Sequence, residues 1–272
     1  MKQLFLTVFI FLAAIGLSSC SPYLLIPELS GADQIDEWIN RETGREVAIM
    51  PMIHIQVPEY FEKTKVEIEK YRQKGFVCFY EGVSDFSPRQ AAIYKSLSDS
   101  LSSYEAMMAI YNEYPYTEED LAAMDTIYRK FRRITGIYLT NSTDKSNKTR
   151  PAFNKRDKYV DQTMANQGLT TPTDMRVDIL FPDLIAAYED KYGEIKLSRC
   201  DRRTPLNDEY DCHTVHLYKA KRMTQGLRNS YIMKTVLESE HDKILLIYGA
   251  GHQDYFCSDL RKAGFKRKRY GE

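Results

Sequence analysis

The chain has 272 residues, with 38 basic and 38 acidic side chains and a formal net charge of +0. Balanced charge excludes the basic footprint of a general nucleic-acid binder. A charged fraction of 28% with 12% aromatics excludes a disordered chain and suits a globular protein of ordinary size.

The first residues differ from the rest. Lys2 is the only charge ahead of an apolar stretch from Leu4 to Ile15, interrupted by Thr7. The stretch is far shorter than the roughly 20 residues of a spanning helix, and it fits the h-region of an export signal behind a positive n-region. Leu17-Ser18-Ser19-Cys20 follows and resembles a bacterial lipobox, so residues 1–19 are expected to be a lipoprotein signal peptide and Cys20 the lipidated first residue. Each buried CH₂ of an acyl chain contributes roughly 0.8 kcal/mol, so several chains anchor stably where one does not. Ser21 follows Cys20, with no acidic run after it, which by the same resemblance implies the outer membrane, facing the periplasm. No later apolar run is long enough to span a membrane.

Residues 20–44 read as a tether with a short helix near Ala32–Arg41, and 45–272 as a single domain. EVAIMPMIH (Glu46–His54) reads as a buried strand, with Pro51 arguing for an edge or a strand about to end. Pro58–Lys74 reads as a helix with Val66 and Ile68–Tyr71 on its apolar stripe, and Gly75 beyond its end. Phe76–Tyr80 is a second strand, completing a strand–helix–strand unit with room for a parallel crossover. Helices are expected over Pro88–Tyr111 and Glu118–Ile134. The second has Thr117 as cap, Glu118, Glu119 and Asp120 in the first turn, and Arg132 and Arg133 in the last. Its residues Leu121, Met124, Ile127, Tyr128, Phe131 and Ile134 fall at spacings of three and four, marking one buried face.

Residues 140–174 are rich in Asn, Ser, Thr, Lys and Asp and read as a mobile insertion or a lid. Phe181–Tyr192 reads as a helix, and His213–Lys221 as a short strand. Gln225–Ser239 is an expected helix, KILLIY (Lys243–Tyr248) an apolar strand, Gly249–His252 a turn and Gln253–Lys262 a helix ended by Gly264. Phe265–Tyr270 closes a second strand–helix–strand unit, its basic run Lys266–Arg269 suiting an exposed edge. The fold class this implies is α/β, with a mixed, largely parallel central sheet flanked by helices.

Beyond Cys20 there are Cys78, Cys200, Cys212 and Cys257. Cys200 and Cys212 bracket the turn-rich DRRTPLNDEYD, which in an oxidising periplasm reads as a local disulfide. A zinc site from Cys200, Cys212, His213 and His216 has suitable ligand types. The adjacency of Cys212 and His213 is poor spacing for it. Cys78 and Cys257 read as buried thiols.

His54 ends the first predicted strand, Glu81 follows the second, and His252 follows KILLIY. Ligand sites of open α/β sheets form outside the carboxyl ends of the strands. Arg228 continues the Ile232–Val236 stripe of its helix one turn earlier, where an apolar residue is expected, and an Arg there calls for a carboxylate, phosphate or substrate partner. Gly249-Ala250-Gly251 lacks the third glycine of a dinucleotide fingerprint, since Asp254 stands in its place.

IMPMIH, FYEGV, GLRN and LLIYGAGH, in that order and closing on a helix and GF, together resemble the TraB/PrgY/GumN and Tiki family, marked by two G-x-x-H motifs with a Glu and an Arg between them. Gly249-Ala250-Gly251-His252 keeps the second motif, Glu81 and Arg228 match the Glu and Arg, and the likeness covers about 45–272, weakest in the middle third. Two departures stand out: Pro51 in place of the first motif's Gly, and Leu227 in place of an acidic residue beside the Arg. The resemblance implies a fold similar to erythromycin-esterase-like and ChaN-like proteins. It also implies a lipid-anchored, metal-dependent hydrolase acting on peptide or amide bonds in the cell envelope.

On that reading His54, Glu81 and His252 hold a divalent ion (zinc, manganese, iron or cobalt) with Glu81 and Arg228 as catalytic groups, and the substrate is a peptide or other small molecule. Two histidines and a carboxylate do not choose among these metals. A metal-independent alternative makes a histidine the general base, oriented by Glu81. A non-catalytic one makes the 20 tyrosines the lining of a haem or peptide surface. No nucleic-acid partner is expected.

Overall fold

The computed structural model describes residues 35–82, 84–136, 160–208, 210–212 and 222–268. The leader, Cys20, most of the 140–174 insertion and the predicted strand His213–Lys221 lie outside the described residues.

In chain order the strands are β1 (Asp36–Ile39), β2 (Glu46–Met52), β3 (Ile55–Gln56), β4 (Val77–Tyr80), β5 (Val160–Asp161), β6 (Met175–Arg176), β7 (Lys243–Gly249) and β8 (Lys266–Arg267). The α-helices are α1 (Pro58–Gln73), α2 (Pro88–Leu97), α3 (Ser103–Glu113), α4 (Glu118–Thr135), α5 (Met164–Gln167), α6 (Phe181–Tyr192), α7 (Arg199–Arg203), α8 (Arg228–Glu238) and α9 (Gln253–Lys262). A π turn (Arg222–Leu227) leads into α8, and a 3₁₀ turn (Ala250–His252) leads into α9. Among the described residues no helix is long and apolar enough to cross a membrane. The chain divides into two compact units, each assembled from separate segments, where sequence alone suggests one domain: one ends at Tyr80 and resumes over residues up to Thr170 and from Glu240, and the other holds the segments from Glu81 and Thr171–Ser239.

The first unit carries sheet order β4-β7-β2-β1-β8. β7 pairs in parallel with both β2 and β4, so it inserts between the strands of the first strand–helix–strand unit. The sheet is mixed because β1 pairs antiparallel with β2 and β8. β1 replaces the helix expected near Ala32–Arg41: Asp36 and Trp38 are buried while Glu37 and Ile39 are less so, the period of two of a strand. Pro51 lies opposite Tyr248 of β7, two residues past the last β1 partner, Ile49. It therefore sits where β2 has lost one neighbour, as its missing N–H requires.

α1 buries Tyr60, Phe61, Thr64, Ile68 and Tyr71, and Val66 is turned outward at 55% exposure. Tyr60, Phe61, Ile68 and Tyr71 meet Ala48, Met50, Cys78, Leu245 and Ile247 on one sheet face. Fully burying such a side chain contributes roughly 1.5–3 kcal/mol. β8 is the sheet edge, and its basic run is matched by acids: Arg267 bonds Asp36, and Lys268 reaches Glu46 and Glu37.

The second unit is mostly helical. The single helix expected over Pro88–Tyr111 is two, because Ser102 starts a new one: its Oγ accepts from Glu105 N at 3.2 Å, and the Glu105 carboxylate accepts from Ser102 N at 3.0 Å. Such a cap is worth about 1 kcal/mol. Thr117 and Asp120 form the same reciprocal box for α4. Met124, Phe131 and Ile134 of α4 pack on Phe181, Leu184, Ile185 and Tyr188 of α6, while Leu121 is 58% exposed.

Candidate functional site

Glu81 and Arg228, singled out separately by sequence, meet in the second unit. Arg228 opens α8 on the face of Ile232 and Val236, both fully buried. Its Nη2 donates to Glu81 Oε1 at 2.7 Å and to Asp178 Oδ2 at 2.6 Å, while its Nε donates to Asp178 Oδ1 at 3.1 Å. The side chains of Arg228 and Glu81 are each 12% exposed, and that of Asp178 is 0% exposed. Two backbone amides complete the shell of Asp178: Gly82 N–H donates to Oδ2 at 3.2 Å and Ile179 N–H to Oδ1 at 2.9 Å.

The guanidinium thus grips Asp178 through its side-on fork, the strongest geometry for this pair. Burial disfavours the charged guanidinium, but the carboxylates of Asp178 and Glu81 outweigh it and push its pKa above the ordinary arginine value. The result is a permanently ionised group with two acidic partners. The π turn just ahead of Arg228 is a distortion of the kind that recurs at functional sites. Asp178 escaped the sequence analysis; its one signal is an acidic residue inside the apolar run Val177–Phe181.

His54 and His252 belong to the first unit. His54 follows the end of β2, is exposed, and has Nδ1 at 2.9 Å from Gln162 Oε1. An amide oxygen only accepts, so Nδ1 is the donor of this bond, and in the neutral imidazole that arrangement leaves the lone pair on Nε2, as a metal-ligating or basic ring needs. His252 ends the 3₁₀ turn after β7 and is 6% exposed, packed against the rings of Tyr248 at 5.8 Å and Phe256 at 5.6 Å. β2 and β7 run parallel, so both histidines leave the sheet at its carboxyl edge.

Among the described residues, the group of three or more potential ligands with donor atoms within 4.8 Å of one another is Cys200, Asp211 and Cys212. Those two sulfurs are joined in the expected disulfide, with Cα atoms 5.6 Å apart. Metals bind thiolates, so that trio does not suit one while the bridge is closed. Arginines of α4 hold the bridged loop. Arg132, 1% exposed, donates to the carbonyls of Thr204 at 2.8 Å and Pro205 at 2.5 Å, and Arg133 bonds Asp201 at 2.6 Å. The basic last turn therefore serves the loop as well as the helix dipole.

A separate cleft of about 520 Å³ in the first unit is lined by Asp36, Trp38, Asp254, Cys257, Arg261 and Arg267, among others. The Cys257 thiol donates to Asp36 Oδ2 at 3.6 Å, and burial together with the Asp36 charge raises its pKa to about 11. It is a protonated thiol at neutral pH and a poor nucleophile.

No protein-family model, no curated protein and no solved structure matches this chain.

Proposed function

We propose that this chain is a hydrolase of the TraB/Tiki type, lipid-anchored through Cys20 in the cell envelope and acting on peptide or amide bonds with the help of a divalent ion. The observation that supports it most is the 2.7 Å bond between Glu81 and Arg228, two residues 147 positions apart that the resemblance had singled out together. The donors the resemblance assigns to the ion are His54, Glu81 and His252. When bound, such an ion supplies an activated water and polarises the scissile carbonyl.

The chain's own contribution is orientation and charge. Gln162 orients the His54 ring through Nδ1, which in the neutral imidazole leaves the lone pair on Nε2. Asp178 and Arg228 hold the Glu81 carboxylate in one position, so that its ordering is complete before substrate arrives. A fixed charge of this kind costs no reorganisation during reaction.

Metal analysis of purified protein and of His252→Ala tests this reading, with peptide and amide hydrolysis measured before and after chelation. The expected result is divalent metal in the wild type, its loss in His252→Ala, and activity that falls on chelation. Negligible metal in both proteins, with no hydrolysis gained on adding zinc, manganese, iron or cobalt, would sink it.

A further inference from the structure

The second unit contains another buried arginine whose charge the Glu81 cluster does not use. Arg176, in β6, is 7% exposed, and its Nε and Nη2 are both buried with no hydrogen-bond partner among the described residues. These two nitrogens form one edge of the guanidinium, with parallel N–H donors spaced to match the two oxygens of a carboxylate. Arg228 shows the same edge in use: its Nε and Nη2 hold the two oxygens of Asp178. Two arginines of the unit thus present the same edge, that of Arg228 paired to an acidic side chain and that of Arg176 without an acceptor among the described residues. Leaving charged donors buried without acceptors is costly.

The surroundings are built for a ligand of particular chemistry. Gly82 lies against the Arg176 side chain so closely that a Cβ there would be 3.2 Å from Nε and 3.3 Å from Cγ. The same Gly82 donates its N–H to Asp178, which joins this region to the charged cluster. The Arg176 guanidinium carbon is 5.5 Å from the centre of the Tyr94 ring. Tyr94 packs on Phe86 at 5.3 Å and Phe86 on Tyr111 at 5.8 Å, which carries an aromatic row outward to a ring that is 56% exposed. The charge of Arg176 also acts on the hydroxyls of Tyr111 and Tyr231, the latter 44% exposed. A cation beside a row of rings whose outermost member reaches solvent suits an anion carried on an apolar or aromatic body.

We propose that Arg176 is the anchor of a carboxylate-binding site in the second unit, taking small carboxylates with an aromatic or apolar body. The ligand carboxylate accepts from Nε and Nη2, and the body lies along Tyr94, Phe86 and Tyr111. Gly82, having no side chain, avoids the crowding of Nε that a Cβ would bring at 3.2 Å. The site is a binding site in its own right and does not depend on whether the chain carries out hydrolysis.

Calorimetric titration of the full chain with N-acetylphenylalanine, and with the corresponding amide, tests the proposal. The expected result is binding of the acid and a loss of about tenfold to hundredfold for the amide, the range for a charge-assisted pair. Arg176→Met should lose the acid to the same extent. Gly82→Ala, which leaves the charge in place and crowds Nε, should weaken the acid and leave the fold intact by circular dichroism. The comparison of acid with amide on the wild type needs no variant, so it stands even where Arg176→Met fails to fold. Equal binding of acid and amide, no binding of either, or unchanged binding in folded Arg176→Met would each overturn the site. Displacement by inorganic phosphate at equal concentration would overturn its assignment to carboxylates.

Discussion

Asp178→Asn is the most informative single change to the charged cluster. It keeps the shape of the side chain and removes its charge. In the wild type Asp178 receives four donors, two from Arg228 and one each from Gly82 and Ile179, and none of its side chain is exposed. An amide offers one acceptor oxygen, so the NH₂ group is turned toward donors, and Arg228 keeps only Glu81 as an acidic partner. Breaking a buried pair from one side costs about 3–5 kcal/mol. At about 2–4 °C per kcal/mol for a domain of this size, the midpoint falls by about 6–20 °C. Thermal and urea unfolding followed by far-ultraviolet circular dichroism, which reports mainly the helices of this unit, gives the measurement. The double variant Asp178→Leu with Arg228→Met should recover part of the loss, because it removes both charges of the pair while leaving Glu81 without its arginine. A single-variant cost below about 1 kcal/mol would refute the claim that this pair organises the unit. The raised pKa of Arg228 adds a sign. Its contribution is complete at every pH below the unfolded value and fades only at extreme alkalinity, so the Asp178→Asn loss should persist unchanged from pH 7 to pH 10.

Two further outcomes are expected elsewhere. Asp120 is buried and accepts from Arg89 at 2.6 Å and 2.9 Å, Ser87 at 2.5 Å and Thr117 N at 3.0 Å; the Arg89 bonds above all hold its pKa below the usual carboxylate range. Its stability contribution is present above the unfolded value of roughly 3.9 and is lost as pH falls toward the folded value. Asp120→Asn should therefore cost about 2–3 kcal/mol at pH 7 and progressively less as pH falls from about 4 to 2, read as urea midpoints across that range. Cys257, with its pKa near 11, should alkylate at pH 8 on the order of a hundredfold more slowly than an ordinary thiol, and Asp36→Asn should speed it; site-resolved mass spectrometry would expose the idea as wrong if wild type reacted at the ordinary rate.

Much of the fold was legible because its strongest signals are local. KILLIY is apolar on both faces and became β7, the strand with a parallel partner on each side. α6 and α9 have the bounds that Pro182 and Gly264 suggest, and the Cys200–Cys212 bridge spans the turn-rich loop. Misreadings arose where short segments depend on their neighbours. DEWI is four residues, too few for a helical period to be told from alternation, and its strand form exists because β2 and β8 pair with it. The division of Pro88–Tyr111 turned on one serine whose partner, Glu105, lies three residues on, a capping box hidden in a helix-friendly stretch. Val66 and Leu121 are apolar residues turned to solvent, which periodicity counts as core. Exposed apolar side chains are common, so their presence in a stripe carries less information than their absence from one.

The same reasoning explains what of the site was legible. Arg228 was readable because a charge interrupted an apolar stripe, and the structure supplies the reason for the interruption in Asp178 and Glu81. Met175–Ile179 is too short to have a period, so Arg176 has no local mark and Asp178 only that of an acid within a short apolar run. Yet they are a fully buried acid and one of the least satisfied bases among the described residues of the second unit. A buried charge needs its partner more than it needs its sequence neighbours. The partner of Asp178 lies 50 residues away, and that of Arg228 at Glu81 lies 147 away. Sequence therefore reveals such a group only when it breaks a pattern. Arg176 breaks none, and its two unpaired donors become informative only beside an Arg228 whose identical edge is filled.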